Sequence, residues 1–336
     1  MSDLKVFSLL DGPWGEAVVK YLSIPLCSVF EKRFEDGEDY ARSMENVRGK
    51  DVYVLCRLHS DYDLGVGDKL CKLLIFIGSL RDASAEKITL LIPYLPFSRQ
   101  DRKTESRAPL SLKYLAIQME SLGVDRIMTL DVHNLAAYQN AFRIPCDNLE
   151  VRKTLIERFI GLISNNHINY HSLTVLSPDS GGMHRARLFR GSLEKMLSKL
   201  LKEPVNVELA YFDKERKNNT IDGGRIVGNI KDRQIVIIDD MIVTGSTICL
   251  SSKSVKEDGG FLLAIIATHG LFVGNTTDNL KNVPHIIVSD SIPLFRSQIV
   301  PDLLKRIQVV KTEELFATAI RRNHDHDSIS ELFEEK

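Results

Sequence analysis

The sequence predicts an α/β fold with two similar domains, each built around a mainly parallel sheet flanked by helices. Segments rich in Val and Ile, typical of strands buried on both faces, alternate with helical periodicity on both sides of about residue 150. The predicted strands are Asp51–Cys56, Ile88–Ile92, Arg126–Leu130, Leu173–Leu176, Ile235–Ile238, Leu262–Ala267 and His285–Val288. Strands alternating with helices form parallel sheets, and 336 residues are enough for two domains that each bury a core.

Composition and charge exclude several classes of protein. The chain has 44 basic and 45 acidic residues and a net charge of -1, so no overall positive field favours nucleic acid or an anionic membrane. No apolar run reaches the ~18 residues of a membrane helix, and Met1–Lys5 lacks the apolar core of a signal peptide. Five cysteines without C-x-x-C spacing favour neither a disulfide framework nor a zinc site. We therefore expect a cytoplasmic protein that binds small molecules.

The run Ile235–Thr247 combines a strand, two acidic residues and a loop of small residues. Asp239 and Asp240 lie at the carboxyl end of the predicted strand, where they can accept hydrogen bonds from sugar hydroxyls. The loop precedes a periodic segment, Ile248–Val255, so its backbone N–H groups and hydroxyls meet the positive end of a helix dipole. The pattern predicts a site for a phosphorylated sugar. The alternative is a helix cap followed by a solvated turn.

A polar cluster follows the strand Ile88–Ile92. Two prolines end that strand and fix the path of the chain that leaves it. The forked donors of Arg99 suit phosphate oxygens or stacking on a purine, and Gln100 and Asp101 offer directional hydrogen bonds to a base or ribose. A charge run on its own is more typical of a solvated surface. Beside the predicted phosphate loop, we interpret it as part of a nucleotide site.

Two further polar sets follow the third and fourth predicted strands. One is Asp131-Val-His133 and the other is Ser177–Gly182, which contains Asp179. Magnesium bound to nucleotide phosphates takes only one or two protein ligands, so one imidazole and one carboxylate are sufficient for it. The alternative is that the histidine and the Asp-containing turn are structural.

Several motifs occur together in the order found in one enzyme family. They are Arg33–Glu38, Glu45–Gly49, Pro93–Arg102, Asp131–His133, Ser177–Gly182, Asp213–Arg216, Asp239–Thr247, Ala267–His269 and Ala319–Arg322. With these motifs, nearly the whole chain resembles the ribose-phosphate diphosphokinases, also called phosphoribosyl diphosphate synthetases. The segment Asp239–Thr247 by itself resembles the ribose-phosphate signature of the type I phosphoribosyltransferase fold. The resemblance therefore implies two type I phosphoribosyltransferase-like domains.

The resemblance also implies domain bounds, a reaction and an assembly. The first domain is expected over residues 1–150, joined by the C-terminal segment 304–336, and the second over residues 151–303, with the active site between them. The implied enzyme uses Mg²⁺ and transfers the β,γ-diphosphoryl group of ATP to the C1 hydroxyl of ribose 5-phosphate, which gives phosphoribosyl diphosphate and AMP. The implied assembly is a homo-oligomer built from dimers, up to a hexamer, in which a neighbouring subunit completes the nucleotide site.

Site residues follow from the resemblance position by position. The ATP contacts are Phe34, Asp36 and Glu38, which reach the adenine, together with Arg99, Gln100, Asp101 and His133. The ribose contacts are Asp179, Asp239 and Asp240, and the 5-phosphate contacts are Thr244, Gly245, Ser246 and Thr247. His133 and Asp179 are the implied magnesium ligands. Lys214 and Arg216 are the implied catalytic residues, on a mobile loop whose cations stabilise charge that develops on the phosphates.

Departures from the family pattern leave two other functions open. Val243 stands where many members have an acidic residue, and residues 134–142 read Asn-Leu-Ala-Ala-Tyr-Gln-Asn-Ala-Phe in place of the glutamine- and glycine-bearing stretch common there. Lys311–Glu314 replaces serines implicated in phosphate activation and nucleotide inhibition, so that regulation is not expected here. One alternative is a catalytically weak homologue that regulates an active synthetase. The other is a phosphoribosyltransferase, which shares only the 239–247 loop and leaves Arg99 and Lys214 unexplained.

Overall fold

Every strand that the sequence predicts is present, and each lies in a parallel pair. The computed structural model describes residues 3–165, 168–217, 220–294 and 299–333. The chain forms two units, one of Met1–Glu150 with Lys311–Lys336 and one of Val151–Val310. Each unit has a mainly parallel sheet flanked by helices, which confirms the predicted fold class.

The first unit contains seven strands and five helices among its described residues. In chain order they are β1 (Leu4–Leu9), α1 (Gly12–Leu22), β2 (Val29–Arg33), β3 (Asp39–Ser43), β4 (Asp51–Cys56), α2 (Val66–Asp82), β5 (Lys87–Ile92), α3 (Ser111–Ser121), β6 (Arg126–Leu130), α4 (Leu135–Ala141), β7 (Cys146–Leu149) and, near the end of the chain, α10 (Glu313–His324). A 3₁₀ turn, Ser330–Leu332, follows α10.

The main sheet of the first unit has the order β1-β4-β5-β6-β7, and all its neighbouring strands are parallel. Val54, Leu90 and Ile127 are fully buried in one core with Phe76 and other residues of α2. Fully burying each such side chain contributes roughly 1.5–3 kcal/mol. β-Branched and large apolar side chains buried on the sheet faces thus account for these strands. Strands β2 and β3 form a separate antiparallel hairpin.

The second unit contains seven strands and five helices among its described residues. They are α5 (Arg152–Asn165), β8 (Leu173–Ser177), α6 (Met183–Leu201), β9 (Glu208–Lys217), β10 (Thr220–Val227), β11 (Gln234–Ile242), α7 (Ser246–Glu257), β12 (Phe261–Gly270), α8 (Thr276–Asn279), β13 (His285–Ser289), α9 (Pro301–Leu304) and β14 (Ile307–Val310). A 3₁₀ turn, Tyr170–Ser172, precedes β8.

The sheet of the second unit has a reversal in strand order at its centre. Its order is β10-β9-β8-β11-β12-β13-β14, and the pairs are parallel except for the antiparallel β9–β10 hairpin. From β8 the chain first adds β9 on one side, and β11 then lies on the other. In open α/β sheets such a reversal leaves a crevice at the carboxyl ends of the two strands, where ligands bind. Asp179 follows β8 and Asp239 lies in β11, so both belong to this crevice.

Some elements differ from the sequence-based expectations. The segment Asp213–Arg216, expected on a loop, lies in the strand β9, where Lys214 pairs with Gly224 of β10. Charged residues are common on strands near a sheet edge, and their pattern alone does not distinguish such a strand from a solvated loop.

No described helix is both long and apolar enough to cross a membrane.

Candidate active site

A loop of small residues leads from β11 into α7. Gly245 is the N-cap residue of α7, and its φ of 72° lies in the left-handed region. The Thr244 hydroxyl donates to the Ser246 hydroxyl oxygen at 3.1 Å, and the Ser246 N–H donates back to Thr244 Oγ1 at 3.4 Å. Hydroxyls and the backbone N–H groups of the first turn of α7 therefore share the positive end of the helix. The predicted turn at a helix N-terminus is confirmed, while its contact with a phosphate stays a prediction.

The shape of this loop depends on the short helix α8. Asn279 Nδ2 donates to the Thr244 carbonyl at 2.8 Å. A Cβ atom placed on Gly245 would lie 2.9 Å from Leu280 Cδ2, closer than side chains tolerate. Both the left-handed φ and the lack of space therefore require glycine at this position.

Two adjacent carboxylates precede the loop. Asp240 is buried, and its N–H donates to Asp239 Oδ1 at 2.8 Å. Burial, and then the negative charge of Asp240, raise the pKa of the Asp239 carboxyl well above its usual range. Asp239 therefore keeps a proton to higher pH than an ordinary carboxyl, so it can donate a hydrogen bond to a sugar oxygen as well as accept one.

Arg185, which sequence reasoning missed, lies beside these carboxylates. It is in the first turn of α6, and its Nη1 is 3.8 Å from Asp240 Oδ1. Its positive charge opposes the rise in the Asp239 pKa. In the sequence, Arg185 was indicated only by its position three residues after the Ser177–Gly182 turn. An arginine near a helix start is usually a surface residue, so this signal was weak.

Lys214 of β9 and Asp179, in the turn after β8, form an ion pair. Lys214 Nζ donates to Asp179 Oδ2 at 2.8 Å, and the Gly182 N–H donates to Asp179 Oδ1 at 2.9 Å. Burial acts to raise the pKa of Asp179, but the hydrogen bond and charge of Lys214 hold that pKa below its usual range. Asp179 is therefore ionised at neutral pH. The charge of Asp240 also acts on this pKa, which shows that the two carboxyl groups share one electrostatic environment.

The second predicted catalytic residue, Arg216, is two positions further along β9. Its backbone pairs with Ile221 of β10, while its side chain lies outside the described part of the chain. The part of Arg216 in catalysis therefore stays a prediction.

The predicted nucleotide loop follows β5 in the first unit. Arg99 and Gln100 are exposed, as ligand contacts require. The Asp101 side chain is only 4% exposed, because Arg102 donates to both of its oxygens at 3.0 and 3.1 Å and Asn134 Nδ2 donates to Oδ2 at 2.7 Å. The Arg102 hydrogen bonds are the main cause that holds the pKa of Asp101 below its usual range. Asp101 therefore stabilises the predicted nucleotide loop through its hydrogen bonds with Arg102 and Asn134.

His133 lies on a segment that is fixed to β7. The Asp131 N–H donates to the Leu149 carbonyl at 2.9 Å, and the Val132 N–H donates to Asn148 Oδ1 at 2.8 Å. The His133 side chain is exposed, and its charge contributes to lowering the pKa of Asp101. The structure thus brings His133 near the nucleotide loop.

The remaining predicted ATP residues lie at the tip of the β2–β3 hairpin. The Phe34 N–H donates to the Glu38 carbonyl at 2.8 Å, and the Glu38 N–H donates to Asp36 Oδ1 at 3.2 Å, which closes the turn. The Phe34 ring is 41% exposed, with Lys32 Nζ 4.4 Å from its centroid. An exposed aromatic ring beside directional polar groups is suited to stacking on a purine.

Comparisons with known proteins decide the family. Residues 5–123 match a model described as the N-terminal domain of ribose phosphate pyrophosphokinase, and residues 207–334 match the phosphoribosyl synthetase-associated domain. The chain is 32% identical over 340 residues to ribose-phosphate pyrophosphokinase of Helicobacter pylori, covering 99% of this chain and 97% of that protein. It is 35% identical over 339 residues to the Buchnera aphidicola enzyme of that name, covering 99% and 100%. The chain belongs to the ribose-phosphate pyrophosphokinase family.

A solved structure of this family supports the fold. The crystal structure of phosphoribosylpyrophosphate synthetase from Mycobacterium smegmatis is 28% identical to this chain, with a TM-score of 0.83 over 96% of this chain and 99% of that one. Membership of the ribose-phosphate pyrophosphokinase family confirms the predicted enzyme class, a diphosphotransferase. It also confirms the resemblance, since pyrophosphokinase and diphosphokinase name the same activity.

His133 and Asp179 stay predicted ligands of the magnesium that accompanies ATP, and they offer one imidazole nitrogen and one carboxylate. Magnesium prefers oxygen ligands and keeps several waters, so it needs few protein ligands. No group of three or more His, Cys, Asp or Glu side chains that could hold a metal occurs in the described parts of the chain. The ionised carboxylate of Asp179 and the exposed imidazole of His133 each fit the need for one ligand.

Replacing Asn134 tests how the predicted nucleotide loop is held. We expect Asn134→Ala to raise the KM for ATP about tenfold, because Asp101 loses a charge-assisted hydrogen bond of about 1.5–3 kcal/mol. Asn134 also caps α4, accepting from the Ala137 N–H at 3.1 Å, so the melting temperature should fall as well. The measurement is steady-state kinetics with a thermal melt.

Asn134→Ser is the matched variant. Serine keeps a capping oxygen for α4 but is too short to replace the amide that reaches Asp101. We expect the raised KM for ATP without the loss of melting temperature. A KM for ATP equal to that of the unchanged enzyme would show that the Asn134–Asp101 contact does not support nucleotide binding.

Proposed function

We propose that the protein is a ribose-phosphate pyrophosphokinase that transfers the β,γ-diphosphoryl group of MgATP to the C1 hydroxyl of ribose 5-phosphate. The products are phosphoribosyl diphosphate and AMP. The observation that carries the proposal is the set of groups at the strand reversal of the second unit, together with full-length family membership. The loop at the start of α7 and the two carboxylates suit a sugar phosphate. The Lys214–Asp179 pair supplies the cation that a transferring diphosphate requires.

The sugar phosphate is held by the second unit. Thr244, Gly245, Ser246 and Thr247 bind the 5-phosphate through hydroxyls and the N–H groups at the start of α7. Asp239 and Asp240 bind ribose hydroxyls, and the raised pKa of Asp239 lets that carboxyl act as a donor. The Val243 side chain offers no oxygen, so these two carboxyl groups and Asp179 carry the ribose contacts.

The nucleotide is held by residues of the first unit. Arg99 and Gln100 are exposed and meet ATP directly, while Asp101 keeps their loop in place through Arg102 and Asn134. Phe34 stacks on the adenine, with Asp36 and Glu38 beside it. His133 and Asp179 are the ligands of Mg²⁺, which when bound neutralises charge on the phosphates.

The chemical step is an in-line displacement at the β-phosphorus of ATP. The C1 oxygen of ribose 5-phosphate forms a bond to that phosphorus, the bond to the oxygen bridging the α- and β-phosphorus breaks, and AMP leaves. The C1 hydroxyl proton is released to water. Such a transfer needs alignment and charge stabilisation rather than covalent help. Lys214 and Arg216 supply positive charge to the oxygens of the transferring group. Lys214 exchanges its contact with Asp179 for a phosphate oxygen.

An assembly and a location belong to the same proposal. We expect a homo-oligomer built from dimers, up to a hexamer, because the family resemblance implies that a neighbouring subunit completes the adenine site. The expected location is the cytoplasm. Analytical ultracentrifugation tests the assembly, and fractionation of cells that produce the protein tests the location.

The experiment that tests the reaction incubates purified protein with MgATP and ribose 5-phosphate and identifies the products by mass spectrometry. We expect AMP and phosphoribosyl diphosphate in equal amounts, with no AMP when the sugar is omitted or when EDTA removes magnesium. Formation of ADP would place the attack at the γ-phosphorus and contradict the proposal.

The same experiment separates the two alternatives. Binding of both ligands without turnover would indicate a regulatory homologue. Consumption of phosphoribosyl diphosphate with a base, without ATP, would indicate a phosphoribosyltransferase.

A further inference from the structure

The β2–β3 hairpin carries three of the proposed adenine contacts but is not part of the main sheet. Within the described parts of the chain, its strands form backbone ladder bonds only with each other. Phe30, Phe34 and Tyr40 are all exposed, so little apolar burial fixes its outer face. An isolated two-stranded hairpin is at best marginally stable in water. Its position must therefore depend on contacts made by its inner face.

One buried lysine of α2 joins both strands of the hairpin. Lys72 Nζ lies 3.3 Å from Glu31 Oε2 of β2 and 3.1 Å from Asp39 Oδ1 of β3. The side chains of Lys72 and Asp39 are each only 7% exposed, whereas Glu31 is partly exposed. The contact with Glu31 is a hydrogen bond, whereas the contact with Asp39 is an ion pair without hydrogen-bond geometry.

The place of Asp39 connects this ion pair to the adenine site. Asp39 directly follows Glu38, the last residue of the hairpin tip, and is paired across the hairpin with Arg33, which precedes Phe34. Lys72 therefore holds the hairpin at the position nearest the tip. Separating a buried charge pair is strongly unfavourable, because it leaves each buried charge without its partner.

A second buried lysine on the same helix provides a comparison. Lys69 lies one turn before Lys72, and its side chain is 2% exposed. Its Nζ lies 2.5 Å from Asp61 Oδ2 and 3.5 Å from His59 Nδ1, both in the loop between β4 and α2. Lys69 thus has similar burial and chemistry but holds a different segment.

We propose that Lys72 is a positioning residue for adenine recognition, which fixes the β2–β3 hairpin so that Phe34, Asp36 and Glu38 are ordered before ATP arrives. The inference rests on the proposed function, since that function assigns adenine to the hairpin tip. Ordering the tip in advance removes the entropic cost of ordering it on binding, which strengthens ATP binding without touching the chemical step. Lys72 itself contacts neither ATP nor sugar.

The test compares three variants by steady-state kinetics with each substrate varied. Lys72→Met is expected to raise the KM for ATP about tenfold or more, with kcat and the KM for ribose 5-phosphate within about twofold. Lys72→Arg keeps a buried cation and should restore most of the loss. Lys69→Met is the matched control, with a similar loss of melting temperature but a KM for ATP within about twofold.

A double variant that removes both buried charges, called the neutral pair, separates loss of the Lys72 contact from misfolding. Lys72→Met alone leaves Asp39 buried without its cation, whereas Lys72→Met combined with Asp39→Asn removes both buried charges. The KM for ATP of the pair should stay raised and should be no higher than that of Lys72→Met, since both changes break one interaction. Hydrogen exchange should also rise over residues 30–42 and stay unchanged in β4 and β5.

Different results would contradict the role of Lys72 and the proposed function. An unchanged KM for ATP in the neutral pair, or an equal rise in Lys69→Met or in the KM for ribose 5-phosphate, would leave Lys72 a purely structural residue and overturn the inference. If the unchanged protein forms no AMP, the proposed function fails instead. Calorimetric titration with MgATP then compares the same variants through their dissociation constants, and the same pattern is expected.

Discussion

Replacing Lys214 with alanine is expected to lower turnover about 100- to 1,000-fold, the largest effect that we predict. This is the loss typical of one preorganised donor that stabilises charge in a transition state, or about 2.7–4 kcal/mol. Lys214 lies in β9 beside Asp179, so its ammonium group is at the strand reversal before the substrates bind. The measurement is the initial rate of AMP and phosphoribosyl diphosphate formation at saturating substrates.

The matched control is Lys199→Ala, which removes an exposed lysine of α6 in the same unit. Its rate should equal that of the unchanged enzyme. Lys214→Arg keeps the charge but not the compact shape of an ammonium, so partial activity is expected. A rate for Lys214→Ala within about threefold of the unchanged enzyme would remove Lys214 from the catalytic group.

Gly245→Ala is expected to raise the KM for ribose 5-phosphate by about 30-fold or more, with the KM for ATP unchanged. The left-handed φ costs an alanine about 1–2 kcal/mol, and the new Cβ would meet Leu280 Cδ2 at 2.9 Å. The loop must shift to relieve both strains, and its N–H groups then no longer converge on the phosphate. The measurement is steady-state kinetics with ribose 5-phosphate varied.

Gly49→Ala separates backbone strain from the loss of the site. Gly49 also has a positive φ, 64°, but a Cβ there meets no atom within 4 Å, and the residue lies in the first unit. We expect a lower melting temperature with both KM values unchanged. If Gly49→Ala and Gly245→Ala changed the KM for ribose 5-phosphate equally, the loop would have no special part in binding the sugar phosphate.

The sequence predicted those parts of the fold and site that depend on local patterns. A run of Val and Ile such as Ile235–Ile238 predicts a buried strand, and this prediction does not require knowing which strands lie beside it. The turn at Gly245 was also predictable, because small residues before a helical pattern leave few other structures. The residue types predict the turn itself, whereas its detailed shape also depends on α8.

Features that depend on partners distant in sequence were not predictable. The contact of Asp101 with ATP stays a prediction, whereas the hydrogen bond that Asp101 accepts from Asn134, 33 positions away, could not be predicted from the sequence. Lys72 and its partner Asp39 have no signal in the sequence, because lysines on an amphipathic helix usually extend to water. Burial of such a charge depends on which segments the fold brings together.

The support of the phosphate loop by α8 has a consequence for how affinity for the sugar can change. Asn279 and Leu280 shape the loop from behind, and neither belongs to the predicted contacts with ribose 5-phosphate. Thr276 of the same helix donates to the Val243 carbonyl at 3.1 Å. Substitutions in these three residues would alter loop shape in small steps while every ligand-contacting group stays in place. In a mutant library selected for altered affinity for ribose 5-phosphate, substitutions in this segment should therefore change that affinity by small amounts. Substitutions of the ligand-contacting residues should instead cause large losses.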